Sequence, residues 1–526
     1  MKTLSFIPIG LRLLLLPALV GALLATLCSS ALGQGSLTPP GPPGPSMKTL
    51  AQVEPRLPIS SVPFTITNSG SYYAATNLTP AANQNGIIIA ADNVTVDLEG
   101  FTLSGGGGGS GEGISLSGAR ANLVIRNGTV RNWPGSGINL TTAGSSQVLL
   151  QSLKVISNVF SGCALLSSAR VIDCLALGNG SKGFSVTSGC LVEHCRAAGN
   201  GLDGIFAGDN CRIMNNECVS NGKAGGYNGG VHLLGTNNIV QENVCTDNVR
   251  GLAVDGPGNV IAANVIKGNT DNYDMVQGNQ LDLLLCEIPE TIDWPANLKL
   301  AGPLTGKPGF SALIIAANDV TVDLNGMSLS GAPGPTVDGI YISGVRTNLS
   351  VHHGTIRNWG SGINTYDAGG VATTVREVRA INNSFTGIAV GRYSRVVDCI
   401  ALSNATRGIL AGDNSVVKSC TVTGNGWDGI YCDSRCVVSD NLSNTNGYGN
   451  GAGCGINVIG AGNRIEGNQV ADNLNRGIQL SSGNVAIRNT AFHNGLNYAP
   501  SSISDLGPTN APPSTATSPW ANFSYP

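Results

Sequence analysis

Residues 199–205, GNGLDGI, return almost unchanged as residues 424–430, GNGWDGI. The asparagine of this stretch belongs to a series that recurs at a constant step, with one longer interval in each half of the chain. The series comprises Asn158, Asn179, Asn200, Asn221, Asn248 and Asn269, and then Asn383, Asn404, Asn425, Asn446, Asn473 and Asn494. A fixed period of about 21 residues is typical of stacked coils that contact only their neighbours. The chain is therefore predicted to be a solenoid.

The two halves of the chain are copies of one unit of roughly 220 residues. Residues 88–100, IIAADNVTVDLEG, are matched by residues 314–326, IIAANDVTVDLNG. The segment GTVRNW at 128–133 is likewise matched by GTIRNW at 354–359. Within each copy, long coil steps fall at the same places, so the insertions, such as the one from Trp133 to Thr142, are features of the unit. Insertions in a solenoid project as surface loops, often at the binding face.

Five segments follow from these patterns. They are a signal peptide at 1–33, a Pro-rich linker at 34–56, a first unit at 57–280, a second unit at 281–500 and a Pro/Ser/Thr-rich tail at 501–526. The signal peptide is predicted from the apolar run between Leu13 and Leu27 and from ALG at 31–33, which supplies the small residues that a signal peptidase needs. Each unit opens on a similar proline-containing segment, LPI in the first and IPE in the second. This repetition favours two rods over one continuous rod.

Three kinds of solenoid compete for a period near 21. Leucine-rich repeats need several leucines per repeat, whereas Gly, Val, Ile and Ala dominate here. Left-handed β-helices are built on six-residue units, and 21 is not a multiple of six. A right-handed parallel β-helix fits best, because short alternating segments suit strands with one face inward and Asn suits left-handed turn positions. The fold class is therefore all-β, an internally duplicated solenoid with about 21 residues per coil.

A resemblance supports this fold. The run NVTVDL at 93–98, followed by GTVRNW and by coils marked with Asn and Gly, resembles the bacterial secreted right-handed parallel β-helix repeat proteins of the pectin-lyase-like superfamily. The resemblance covers residues 57–500. Members of that superfamily include polysaccharide lyases, glycoside hydrolases, sugar epimerases, esterases and adhesins without enzymatic activity. The resemblance therefore implies the fold and leaves the activity open.

Four residues are the candidates for acid–base catalysis: Glu193, His194, Arg196 and Asp173. A glycosidase needs two carboxyl groups about 5–9 Å apart across the scissile bond. Carboxyl groups at the same position of adjacent coils would meet this requirement, and the step from Asp173 to Glu193 is close to one coil. His194 and Arg196 adjoin Glu193. The competing interpretation is that all four are solvated residues at strand edges.

Five further residues are candidates for binding a substrate. Trp133, Trp359 and Trp427 lie in or next to inserted loops, where a flat ring can contact a sugar. Because Trp133 and Trp359 recur at one position of the unit, a packing role competes for these two. Asp203 and Asp428 each precede a coil-starting glycine, where a carboxylate can also accept hydrogen bonds from turn N–H groups.

No metal-binding residue and no cofactor is predicted, with calcium kept as a candidate. The dipeptide His352-His353 lacks the spaced partners that a zinc site needs. Several cysteines recur at the same step as the asparagines, namely Cys174 and Cys195, Cys190 and Cys211, and Cys399 and Cys420. Disulfide bonds between neighbouring coils and stacked buried thiols both fit this spacing.

Composition and charge exclude two classes of protein, namely those that bind nucleic acid and those that span a membrane with a helix. The formal net charge of -3 and the lack of a Lys/Arg cluster argue against nucleic acid as a partner, since phosphate binding needs a concentrated basic face. No stretch of the mature chain is an apolar run long enough to span a bilayer.

We expect a secreted, periplasmic or cell-surface protein that binds extracellular polysaccharide and cleaves it as a lyase or glycoside hydrolase. The alternative is a structural or adhesive surface protein without catalysis. An enzyme should concentrate its acid–base groups in one cleft of one copy, whereas an adhesin should spread its contacts over both copies.

Overall fold

The computed structural model describes residues 53–526 except 227, 333–336, 450, 503, 511–513 and 515. The predicted signal peptide and nearly all of the linker lie outside the described residues. Residues 56–526 form one compact unit. Within the part of the chain that is described, no helix has the length and apolarity needed to cross a membrane.

Each coil of the unit 56–526 contributes one short strand to each of three faces, here called face one, face two and face three. All strands pair in parallel with the equivalent strands of the neighbouring coils, and Cys163–Leu165, for example, lies against Phe184–Val186 of the following coil. The predicted parallel β-solenoid with a period near 21 is confirmed.

Face one consists of two ten-stranded sheets, one in each copy. The strands of the first sheet are Phe64–Ile66, Ile87–Ile89, Ile114–Leu116, Ile138–Leu140, Cys163–Leu165, Phe184–Val186, Ile205–Ala207, Gly229–Leu233, Arg250–Val254 and Asp271–Met275. Those of the second sheet are Glu290–Ile292, Leu313–Ile315, Ile340–Ile342, Ile363–Asn364, Ile388–Val390, Ile409–Ala411, Ile430–Cys432, Cys454–Val458, Arg476–Leu480 and Leu496–Pro500.

Faces two and three together form a single 35-stranded sheet. The strands of face two are Leu57–Ile59, Gly70–Ala74, Val94–Asp97, Arg170–Ile172, Leu191–Glu193, Arg212–Met214, Ile239–Gln241, Ala296–Leu300, Val320–Asp323, Arg395–Val397, Val416–Lys418, Val437–Ser439, Arg464–Glu466, Val485–Ile487 and Asp505–Leu506. The strands of face three are Thr102–Ser104, Leu175–Leu177, Arg196–Ala198, Glu217–Val219, Val244–Thr246, Leu304–Thr305, Ser328–Ser330, Ile400–Leu402, Thr421–Thr423, Leu442–Asn444, Gln469–Ala471, Thr490–Phe492, Thr509–Asn510 and Asn522–Tyr525. Six strands run through both faces: Ala121–Arg131, Ser146–Ile156, Val260–Lys267, Gln280–Leu285, Leu349–Arg357 and Thr374–Ile381.

Inward-facing and outward-facing side chains alternate along these short strands. The inward side chains form the core, and the central residue of a three-residue strand on face one points outward. In Phe184–Val186 the two end residues are buried and Ser185 between them faces outward. On face two the order is reversed, and Val192 at the centre of Leu191–Glu193 is fully buried. Since successive side chains of a strand point to opposite sides, stacked central residues form continuous rows. The outward row on face one is the surface that positions the candidate site.

Residues in the left-handed region turn the chain at the corners between faces. Between faces two and three this position is held by Asp173, His194 and Asn215 in consecutive coils, each with a φ between 53° and 55°. Asn and Asp tolerate this region better than most residues, because their short polar side chains can bond the local backbone. The corners explain why the chain is so rich in Asn, Asp and Gly.

Buried asparagines form a ladder at the corner between faces three and one. Asn200 is fully buried, and its Oδ1 accepts hydrogen bonds from both the backbone N–H and the Nδ2 of Asn179, at 3.1 and 2.9 Å. Its own Nδ2 donates to the Oδ1 of Asn221 in the next coil at 2.9 Å. Each amide thereby satisfies buried polar groups of a neighbouring coil. The recurrence that predicted the solenoid is this ladder.

Cysteines occupy equivalent rungs at the other two corners. Cys190 accepts a hydrogen bond from the backbone N–H of Ala169 at 3.4 Å, as an asparagine Oδ1 does elsewhere. Cys174 and Cys195 stack in the same way at the corner between faces two and three. The described cysteines are free thiols, so the structure corresponds to the stacked-thiol alternative.

The prediction of two separate rods is wrong. The strand Gln280–Leu285 of the first copy pairs with Ala296–Leu300 of the second, so face two continues across the junction. Face one is interrupted between Asp271–Met275 and Glu290–Ile292. On face three, the first strand of the second copy, Leu304–Thr305, pairs with Ser328–Ser330 of its own copy. The pairing on face two therefore joins the two copies into one rod.

Replacing one ladder residue tests the role of the buried amides. Asn200→Ala removes the acceptor of two Asn179 donors, and a buried unsatisfied donor costs about 1–3 kcal/mol. We therefore expect a lower urea midpoint, with a loss of about 1–3 kcal/mol in the free energy of unfolding. The exposed Asn68→Ala is the control and should change stability by less than about 0.5 kcal/mol. Equal effects of the two variants would contradict a stabilising ladder.

Candidate functional site

A groove lies along face one of the second copy, above the outward row of its strands. Its volume is about 420 Å³. Asn364, Ala389 and Leu410 are stacked in register and form its floor. The lining also includes Asp338, Ser361, Tyr366, Asp367, Phe385, Thr386, Thr406, Arg407 and Trp427. Five successive coils contribute to this surface.

Two carboxylates meet at one end of the groove. The Nδ2 of Asn364 donates to Asp338 Oδ2 at 2.9 Å and to Asp367 Oδ2 at 2.8 Å. The other oxygen of Asp338 accepts the backbone N–H of Ser361 at 2.8 Å, which fixes the carboxylate against the next coil. Because one amide nitrogen bonds both acids, their oxygens lie within two hydrogen-bond lengths of each other. This is the closest pairing of carboxylates in the groove.

Aromatic rings form the other end. Trp427 is 37% exposed and Phe385 is 49% exposed, so both present ring surface to solvent. The guanidinium of Arg407 lies 5.4 Å from the centre of the Trp427 ring and 4.1 Å from that of Tyr431. Asp428 lies 3.7 Å from the Nε of Arg407. These cation–π and charge contacts hold Arg407 and the rings in place.

Tyr366 extends over three coils to Asp433. Its hydroxyl donates to Asp433 Oδ2 at 3.0 Å. Burial and this hydrogen bond raise the pKa of Tyr366 to about 12. Burial also raises the pKa of Asp433 above its ordinary value. At neutral pH the Tyr366 phenol therefore stays protonated and serves as a hydrogen-bond donor.

The equivalent surface of the first copy has different chemistry. Glu112 takes the place of Asp338 and bonds Asn139, and burial raises the pKa of Glu112. Lys182 replaces Arg407 and stacks over Phe206, with its Nζ 3.0 Å from the ring centre. Burial lowers the pKa of Lys182. Leu202 stands where the second copy has Trp427, so this surface lacks the exposed indole.

A buried histidine connects two acids on the first copy. His232 Nδ1 lies 3.1 Å from Asp203 Oδ1, and its Nε2 lies 3.0 Å from Asp255 Oδ2. Burial lowers the pKa of His232, but the hydrogen bonds with the two carboxylates outweigh burial and raise it above the ordinary value. Asp203 Oδ1 also accepts the backbone N–H of Gly229 at 2.8 Å. The cluster therefore stabilises adjacent coils.

The family profile described as right handed beta helix region matches residues 64–227 and 311–442. The chain belongs to this family. The match confirms the predicted resemblance to right-handed parallel β-helix proteins, whereas a bacterial origin and secretion stay predictions. No curated protein sequence matches the chain significantly.

Solved structures with some likeness to this right-handed β-helix include three carbohydrate-active proteins. A pectate lyase, Pel9A, is 17% identical over 47% of this chain and 70% of its own, with a TM-score of 0.30. The A-module of a mannuronan C-5 epimerase from Azotobacter vinelandii is 11% identical over 87% of this chain and 91% of its own, with a TM-score of 0.20. The catalytic domain of an α-1,3-glucanase in complex with tetrasaccharides is 12% identical over 89% of this chain and 63% of its own, with a TM-score of 0.18.

The predicted catalytic residues of this β-helix lie away from the groove. Strand register places Glu193 beside Ile172, so the predicted stacking of Glu193 on Asp173 is wrong. Asp173 and His194 are exposed corner residues between faces two and three. His194 and Arg196 line a shallow recess, where Arg196 lies 3.4 Å from Glu217 in an exposed ion pair. The catalytic role of these four residues stays a prediction.

The predicted binding residues divide into one surface residue and four buried ones. Trp427 lines the groove, whereas Trp133 and Trp359 are fully buried, which fits the packing role rather than direct contact with a substrate. Each of the two buried indoles donates its N–H to a backbone oxygen of a neighbouring coil. Asp203 and Asp428 are almost completely buried and accept backbone N–H groups, which fits the structural alternative rather than direct contact with a substrate.

Asp338, Asn364, Tyr366 and Asp367 were not among the residues predicted from the sequence. Two signals for them were present. Asp338 precedes a coil-starting glycine, as Asp203 does. Tyr366 and Asp367 lie at the end of the segment that begins at Trp359. This segment corresponds to the insertion from Trp133 to Thr142 in the first copy. What was missing is the coil register that brings them together.

The His232 cluster predicts a pH-dependent stability. The raised folded pKa means that the stabilisation is complete below the ordinary histidine pKa of about 6.5 and is lost as the pH rises through the folded value. His232→Asn introduces the residue of the second copy and should lower the urea midpoint more at pH 5.5 than at pH 9. The exposed His194→Asn, which keeps a residue that tolerates the left-handed corner, serves as control. A pH-independent difference for His232→Asn would refute the ion pairs.

Proposed function

We propose that the groove of the second copy binds extracellular polysaccharide. The observation that carries this proposal is the combination of exposed rings at one end, Trp427 and Phe385, with outward polar groups at the other. Sugar rings offer an apolar face for an indole and hydroxyl groups for carboxylates and amides. Tyr366 and Asn364 supply hydrogen-bonding groups between these ends.

The dimensions of the groove suit a polymer rather than a single sugar. Its lining comes from five coils, and stacked strands are about 4.8 Å apart, so it extends over roughly 20 Å. The floor is the regular outward row of face one. A chain of sugars can therefore lie along the stacking direction of the coils.

Charge favours a neutral polysaccharide. Among the residues that line the groove, the acids Asp338 and Asp367 outnumber the single guanidinium of Arg407. A polyuronate would bring further negative charge to these carboxylates, and like charges repel. We therefore propose neutral glucan-type chains as the ligand class, with calcium-bridged acidic chains as the weaker alternative.

Removing the exposed indole tests the binding proposal. Trp427→Ala should lower the affinity for a neutral polysaccharide at least about tenfold, which corresponds to a loss of about 1.4 kcal/mol from ring stacking. Trp520→Ala is a matched control, since Trp520 is 47% exposed and also lies under an arginine, at 4.5 Å from Arg488. Calorimetry against neutral and acidic polysaccharides, with and without calcium, measures both variants. Equal affinities for the wild type and Trp427→Ala would refute the groove as the binding site.

Hydrolysis of the bound chain is a second candidate function. The observation that favours it is the pair Asp338 and Asp367, which share the amide of Asn364. Glycoside hydrolases use two carboxyl groups, one as acid and the other as base or nucleophile. The first copy lacks this pair, because Glu112 and Thr142 stand at the equivalent positions there.

A lyase reaction through Tyr366 is less favourable. A lyase base must accept a proton, and a phenol with a pKa of about 12 is a poor base at neutral pH. The adhesive alternative predicts binding without any change in polymer length. Size and mass analysis of incubated polysaccharide therefore separates hydrolysis from adhesion.

Conservative variants of the acid pair test hydrolysis. Asp338→Asn and Asp367→Asn should each lower the rate of chain shortening about 10²–10⁴-fold, the usual contribution of an acid or base. Glu193→Ala combined with His194→Ala is the control and should leave the rate unchanged. If that control abolishes activity instead, catalysis belongs to the recess at Arg196. If the wild type binds polymers and leaves all of them intact, the protein is a binding or adhesive rod.

A further inference from the structure

A second cluster of chemistry-bearing side chains lies at the corner between faces two and three of the second copy. Asp323 ends the strand Val320–Asp323 and pairs in register with His352 of the next coil. His352 Nδ1 and His353 Nδ1 are 3.0 Å apart, and each lies 3.6 Å from Asp323 Oδ1. Three potential ligand atoms thus converge from two coils.

The corner conformation explains why adjacent histidines converge. Consecutive residues of a regular strand point to opposite faces. His353 has a φ of 58°, in the left-handed region, and this turns its side chain beside that of His352. The two rings meet edge to face, with their centres 4.6 Å apart. The dipeptide therefore presents two nitrogens to one point, which strand geometry alone does not allow.

The separations match those of ligands around a small metal ion. Zinc binds His nitrogen and carboxylate oxygen at about 2.0–2.2 Å in tetrahedral sites, which places neighbouring ligand atoms about 3.4 Å apart. The three separations at Asp323, His352 and His353 bracket this value. Side-chain exposures of 27%, 20% and 43% leave the site open on one side, where water can complete the coordination.

The first copy has a permanent cation at this place. Asp97 corresponds to Asp323, and there Arg126 Nε donates to Asp97 Oδ2 at 2.8 Å. Asn127 Nδ2 adds hydrogen bonds of 3.2 Å to both oxygens of the same carboxylate. The second copy has replaced the arginine and asparagine by two histidines. A bound divalent ion would supply the positive charge that Arg126 supplies in the first copy.

A further carboxylate supports the second histidine. His353 Nε2 lies 2.8 Å from Glu377 Oε2 in the following coil. Histidines that bind a metal through one nitrogen commonly donate the other N–H to a carboxylate, which fixes the ring and its tautomer. The first copy has Ser152 at the position of Glu377. The second copy therefore differs from the first at all three of these positions, with two histidines and one glutamate.

We propose that Asp323, His352 and His353 bind a divalent transition-metal ion of the zinc type, with Glu377 as the positioning residue for His353. Imidazole nitrogens suit Zn²⁺, Co²⁺ or Ni²⁺, whereas Ca²⁺ prefers six to eight oxygen ligands. The site links three consecutive coils and lies on different faces from the groove. Its existence does not depend on the proposed polysaccharide function.

Titration of the tag-free mature chain with Co²⁺ and Zn²⁺ tests this proposal. We expect one equivalent of Co²⁺ with visible absorption of a low-symmetry site, and displacement of Co²⁺ by one equivalent of Zn²⁺. The variant His352→Arg/His353→Asn restores the residue pair of the first copy, which folds around the same carboxylate. It should weaken binding at least about 100-fold, more than the loss of a supporting residue does. Glu377→Gln should weaken it about tenfold.

His493→Asn is the matched control. His493 is also a left-handed corner residue beside a single acid, with its Nδ1 3.5 Å from Asp472 Oδ1. This variant should bind Co²⁺ as tightly as the wild type. The proposal is overturned if the wild type shows no Co²⁺ absorption and no Zn²⁺ binding. It is equally overturned if His352→Arg/His353→Asn retains wild-type affinity.

Discussion

The structure depends on the stacking of identical buried amides at one corner of the coils from Asn158 to Asn269 and from Asn383 to Asn494. Asn179, Asn200 and Asn221 each bond the coil below and the coil above while being shut off from water. A buried amide that lost its partner would incur the full cost of desolvation, so the register of each coil in the ladder is constrained at this point. Insertions are tolerated only where they leave the rungs aligned. In this chain they lie between the ladder and the strands of face one or directly after those strands.

The two copies share one backbone structure but carry different residues at equivalent outward positions. Leu202 and Trp427 occupy the same place in the unit, yet only the second provides an exposed indole. The buried Trp133 and Trp359, by contrast, are retained with the same hydrogen bond to a carbonyl of a neighbouring coil. Burial therefore conserves a residue between copies, whereas the outward row is free to acquire different chemistry. The second copy is consequently the one with a groove of paired acids and rings.

The period in the sequence was sufficient to predict the fold, because the ladder and the corners repeat visibly. The site was harder to predict, since it depends on contacts between coils of unequal length. The steps from Asp338 to Asn364 and from Asp323 to His352 are both longer than the ladder step, so a constant period aligns neither pair. Only Trp427 was identified in advance. Recurrence suggested a shared role for the other two tryptophans but did not distinguish packing from binding.

In this rod the buried residues provide the stability, so the outward residues can change and create a new site. The hydrogen bonds of Asn364 with Asp338 and Asp367 join outward side chains of adjacent coils. The carboxylate of Asp338 also accepts the backbone N–H of residue 361, which any residue except proline would provide. A few outward substitutions can therefore create an acid pair without disturbing the core or the ladder. Duplication supplies a second, already stable surface on which such substitutions cost little folding free energy. The pair Asp338 and Asp367 and the exposed indole of Trp427 are the features that the second copy has and the first lacks, and both lie at outward positions where this freedom applies.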